Sequence, residues 1–146
     1  MNEFDDAIYS LSASAKPKGS FQLLPGESIN SVVARENVPN ARGVYLIFDL
    51  CDLKRAIYIG KAGTVNRDGS WRGQGIRGRL KNVQKKMRRV DFFLELMGKT
   101  CKKGLAFHWF ITHEGKEGRL PSLVEMELLQ AYFDEFGCLP TLNESA

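Results

Sequence analysis

The residues best placed to do chemistry are one glutamate, one arginine, two tyrosines and a lysine. Glu125 lies in a segment opened by Pro121 and closed by Gly137, where Leu128, Leu129, Tyr132 and Phe136 surround its direction on a helical wheel. A carboxylate on a face that must pack is costly unless a cation or hydrogen bonds compensate. A hard divalent metal would do so, because such ions bind through one or two carboxylates plus phosphate oxygens. The alternative is that Glu125 only closes a capping box with Ser122, three residues earlier. Arg79 borders the apolar stripe of a basic segment, where a guanidinium held at a rim can grip a phosphate with two parallel hydrogen bonds. The alternative is that it snorkels to water. Tyr45 and Tyr58 lie mid-way along two β-branched, aromatic runs, where tyrosine most often serves packing. Lys61 follows Gly60 just past the second run and can reach the same rim.

These side chains need elements to position them. Gly43–Asp49 and Ala56–Gly60 read as strands of an antiparallel hairpin. The Gly-rich stretch from Lys61 to Gly75 reads as a loop. From about Gly75 to Val90, the residues Ile76, Leu80, Val83, Met87 and Val90 recur at helical spacing, with most basic residues on the other faces. Leu105–Ile111 is a third strand, and the segment from Pro121 to Gly137 is the last helix. A short helix is expected at about Glu27–Glu36. The order strand, strand, helix, strand, helix implies an α+β domain: a small, mainly antiparallel three-stranded sheet flanked by helices. That domain spans residues 21–146. Residues 1–20, polar and ending in SASAKPKGS, are expected to be a mobile arm.

Charge narrows the partners. Of the 21 Lys and Arg residues, 15 lie between Lys54 and Lys103, against three acids in the same stretch. Such a segment would displace counterions from a polyanion; the alternative is a solvated charged face. The chain has no apolar run long enough to span a membrane and no basic-then-apolar leader, so a cytoplasmic location without membrane attachment is expected. Cys51, Cys101 and Cys138 form neither a paired framework nor a CxxC zinc site and are expected as free thiols.

The motifs together resemble a known family. The runs GVY (Gly43 to Tyr45) and YIG (Tyr58 to Gly60), followed by KAG, resemble the paired motifs of the GIY-YIG nucleases. The family places an arginine on the next helix, which Ile76-Arg-Gly-Arg79 matches. It places a glutamate ahead of an apolar pair on a later helix, which Glu125-Met-Glu-Leu128-Leu129 matches. It ends with an asparagine shortly after a proline, which Pro140-Thr-Leu-Asn143 matches. The likeness covers about residues 38–143. One departure is Val83, where many members carry His or Tyr one turn after the arginine.

The resemblance implies metal-dependent hydrolysis of DNA phosphodiester bonds. Glu125 would ligate Mg²⁺ or Mn²⁺, and Arg79 would neutralise charge on the phosphoryl oxygens. Tyr45 or Tyr58 would orient or deprotonate the attacking water, with Lys61 favouring the phenolate. Asn143 would tie the last loop to the site. The basic helix and the loop around Trp71 would hold the DNA backbone, through Lys61, Arg72, Arg77, Lys81, Lys85 and Arg88. Cutting both strands at one place would suit a homodimer or larger complex. His108 and His113 receive no catalytic role. The rival reading is a module of the same fold that binds nucleic acid without cutting it.

Overall fold

RGVYLIFD, the strand β2 (Arg42–Asp49), is apolar at nearly every position, and six consecutive residues from Gly43 to Phe48 are buried. An antiparallel strand alternates when one face meets water. A continuous apolar run therefore demands cover on both faces, and the fold supplies it. A computed structural model describes residues 2–82 and 103–146. In it β2 pairs on one side with β3 (Asp52–Ala62) and on the other with β6 (Leu105–Glu114), both antiparallel. The outer neighbour of β6 is β1 (Lys18–Leu23), and the two-residue β7 (Glu117–Gly118) folds back onto its end.

Side chains of alternate residues divide the core in two. Tyr45, Ile47, Phe107, Trp109 and Ile111 face the helices α2 (Ile29–Arg35) and α3 (Ile76–Asn82). Val44, Leu46, Ala106 and Phe110 face α1 (Glu3–Ser14) and the long last helix, here α4 (Pro121–Phe136). The class is α+β, as the element order implies, with an antiparallel sheet between helical layers. Fully burying one such apolar side chain contributes about 1.5–3 kcal/mol, so covering both faces of β2 is a major source of stability.

The sheet is wider than three strands because β1 and β7 extend it. KGSFQL buries only Phe21, which stacks on Phe107 at 4.8 Å between ring centroids. An edge strand with one buried side chain lacks the apolar density that marks β2. The mobile arm expected over residues 1–20 is likewise replaced by ordered elements. Asn2 caps α1 by accepting the Asp5 backbone N–H at 2.7 Å, and acids fill its first turn, as the helix dipole favours. Phe4 is wholly buried and meets Tyr132 of α4 edge-on at 5.0 Å.

Smaller differences have local causes. The connection after β2 is only Leu50–Cys51, because β3 begins at Asp52, ahead of the expected Ala56, with four exposed residues. The Gly-rich loop folds as a miniature hairpin, β4 (Thr64–Val65) with β5 (Trp71–Arg72). Cys51 is disulfide-bonded rather than a free thiol, whereas Cys138 is free and exposed; such pairing depends on tertiary proximity, which spacing does not reveal. The expected helix beyond Asn82, with Lys85 and Arg88, and the segment from Asp91 to Gly98 lie outside the described residues. No helix among the described residues is long and apolar enough to cross a membrane.

Candidate active site

The β2–β3 hairpin sets the register of the two phenols. Ile47 pairs with Tyr58 and Tyr45 with Gly60, so the tyrosines share a face two residues apart along the ladder. Their rings lie 5.8 Å apart and tilted by 53°. Gly60 makes this possible by close approach. A Cβ there would lie 2.6 Å from Tyr45 Cζ and 2.7 Å from its hydroxyl oxygen, inside any permitted contact. The glycine of YIG is thus the space into which the tyrosine of GVY leans.

The two phenols differ in environment. Tyr45 is 3% exposed and Tyr58 is half-buried. Burial above all, then the neighbouring Tyr58, pushes the Tyr45 phenol well above its ordinary range. Arg79 opposes that shift and Glu125 adds to it. Both charges, one from α3 and one from α4, therefore act on the same hydroxyl from opposite layers of the fold.

Arg79 is placed by α3, whose Ile76 and Leu80 are buried against the sheet. Its Nε donates to the Lys61 carbonyl at 3.3 Å, which anchors the exposed guanidinium beside the end of β3. Lys61 itself reaches the other way, and its Nζ meets Ser122 Oγ at 2.8 Å. That bond ties β3 to the first turn of α4, one turn ahead of Glu125. Lys61 is thereby directed to α4 rather than to a phenol.

The start of α4 bears on the capping-box reading of Glu125. The helix is capped at Leu120 with no side-chain hydrogen bond, and Pro121 occupies the first turn. Ser122 is thus inside the helix, and a capping box with Glu125 does not form. Proline at the first helical position needs no N–H partner, which moves the start ahead of Ser122. Glu125 lies among the buried Val124, Leu128, Leu129 and Tyr132, but near the open end of the helix it is only half-buried. Glu127 points away and pairs with Arg119.

Asn143 closes the site from the chain's far end. Its Nδ2 donates to the Ile59 carbonyl at 2.9 Å, and its Oδ1 accepts the Ile59 N–H at 3.0 Å. The Leu142 N–H also donates to the Ile57 carbonyl at 2.8 Å. The tail thus zips onto the open edge of β3 on both sides of Tyr58. Asn143 thereby ties the last loop to β3 next to Tyr58.

The expected DNA-binding residues separate. Lys81 is exposed on α3, and Arg72 is exposed on β5. Arg77 is half-buried, with Nε donating to the Val38 carbonyl at 2.8 Å, so it fastens α3 to the segment before β2. Arg42, which the motif reading passed over, holds its guanidinium 4.4 Å above the Trp71 ring. A cation over a ring between residues 29 positions apart leaves no trace in spacing.

Among the described residues, no group of three or more His, Cys, Asp and Glu side chains could hold a metal ion alone. A single half-buried carboxylate still suits a hard cation that completes its shell with water and phosphate oxygens. The structure therefore gathers Tyr45, Tyr58, Arg79 and Glu125 at one end of the hairpin, with Lys61 and Asn143 bracing it. No family model, no curated protein and no solved structure matches this chain.

Proposed function

We propose that this chain is a GIY-YIG-type endonuclease that hydrolyses DNA phosphodiester bonds with one divalent metal ion. The observation that supports it best is the convergence, from four separate elements, of two phenols, a guanidinium and a half-buried carboxylate. Arg79, fixed through Nε, keeps its remaining N–H groups for phosphoryl oxygens whose charge grows in the transition state. Tyr45, held protonated by burial, orients neighbouring groups rather than accepting a proton. Tyr58, half-open to solvent, is the phenol that meets the attacking water. Glu125 supplies the protein's oxygen ligand. Mg²⁺ or Mn²⁺ bound there would polarise the scissile phosphate and stabilise the leaving oxygen.

The test is direct. Purified protein with Mg²⁺ nicks or cuts plasmid DNA, and both EDTA and Glu125→Ala abolish the cutting. Cleavage that survives both would remove the metal assignment. DNA binding with no cleavage under any divalent metal would favour the binding-module reading instead.

A further inference from the structure

Where β2 begins and β3 ends lies a cleft of about 370 Å³ that includes Arg42, Trp71, Arg72, Gln74, His113 and Glu114 in its walls. Its construction is specific. Gly63 follows β3 with φ of +92°, and a Cβ there would lie 2.9 Å from Arg42 Cγ and 3.5 Å from Trp71 Cε3. The missing side chain lets the Arg42 stem and the indole close over the backbone. The guanidinium then rests 4.4 Å over the indole centroid, and the His113 ring packs against the same indole at 4.9 Å.

A guanidinium stacked on a ring is held by its face, which leaves the N–H edge for an acceptor. Among the described residues no acid forms a salt bridge with Arg42. Arg72 lines the same cleft, and the one acid in its walls, Glu114, is exposed. The cleft thus presents two arginines and one carboxylate, fitted to a single phosphate rather than to a cation. Arg42 precedes Tyr45 by three residues, about 10 Å along a strand, so this phosphate is not the scissile one.

We infer that Arg42, clamped on Trp71, is a DNA-binding residue that grips a backbone phosphate flanking the scissile phosphate. This rests on the endonuclease reading of the neighbouring site. A planar fork aimed at a phosphate sets the register of the strand across Arg79 and Tyr58 without reading bases. Arg72 adds charge, and Glu114 limits how deeply the backbone enters.

The experiment measures binding of a labelled duplex by fluorescence anisotropy over a range of salt, in the Glu125→Gln background with EDTA. Cleavage kinetics are measured in parallel on the otherwise native protein. Arg42→Ala is expected to weaken binding several-fold and to lower the slope of log K against log salt by about 1. In cleavage it raises KM with little change in kcat. Arg42→Lys keeps the slope but loses part of the affinity, and Glu114→Gln tightens binding. An unchanged slope and KM in a folded Arg42→Ala protein would overturn the inference. Should Arg42→Ala not fold, unchanged affinity in both Arg42→Lys and Glu114→Gln overturns it. Failure of the nuclease reading looks different: the parent protein would cut no DNA under any divalent metal, or would bind none.

Discussion

At the scale of single residues, the decisive contrast is between two tyrosines that look alike in the motifs. GVY and YIG each offer a phenol mid-strand, and nothing in their spacing ranks them. The fold separates them by burial, because Tyr45 is buried in the core that faces α2 and α3 while Tyr58 is half-buried at its margin. A phenol raised above its ordinary value stays protonated at neutral pH and cannot serve as a base there. Tyr58→Phe is therefore expected to lower kcat by about 10²–10⁴-fold, the usual range for losing a general acid or base. Tyr45→Phe should cost less, through looser orientation of Tyr58. Single-turnover cleavage rates at saturating protein check this, and a larger loss from Tyr45→Phe would reverse the two roles.

At the scale of elements, the first helix carries a prediction that the mobile-arm expectation does not. Phe4 has no exposed surface and contacts Tyr132 and Phe136 of α4, the helix that bears Glu125. Phe4→Ala should destabilise the protein by about 3–5 kcal/mol, read as a lower urea midpoint with an unchanged slope. A change within experimental error would restore the arm. The helix was legible: Phe4, Ala7, Ile8 and Leu11 recur at helical spacing behind a capping Asn2. Small and acidic residues around that stripe disguised it. The hairpin, the third strand and the last helix were plain because each has a dense periodic core face. Strand β1 was not, since an edge strand needs one buried side chain and its pairing with β6 spans about 90 residues of chain. Of the candidate site, the residues proposed for it came from motif spacing. The Lys61–Ser122 and Arg42–Trp71 contacts were not, because each joins elements brought together only by sheet pairing.

At the scale of the whole molecule, the layers explain why the candidate site residues gather at one end of the sheet. Helices cover both faces of β2, and among the described site residues Tyr45 is buried while Tyr58 and Glu125 are half-buried and Arg79 is exposed. Arg42, Lys61, Arg79 and Glu125 all stand at that end, and the described residues hold one such constellation. On the endonuclease reading, a single metal-binding carboxylate per chain can act on one strand at a time. Supercoiled plasmid should then pass through nicked circles before linear product appears. Raising the protein concentration should speed the second cut more than the first, because a second copy must engage the opposite strand. The time course of the three plasmid forms, at several protein concentrations, provides the measurement. Linear product forming without a nicked intermediate at the lowest concentration would mean that two sites act together before either strand is cut. In that case the functional unit is a preassembled pair of chains rather than the single domain.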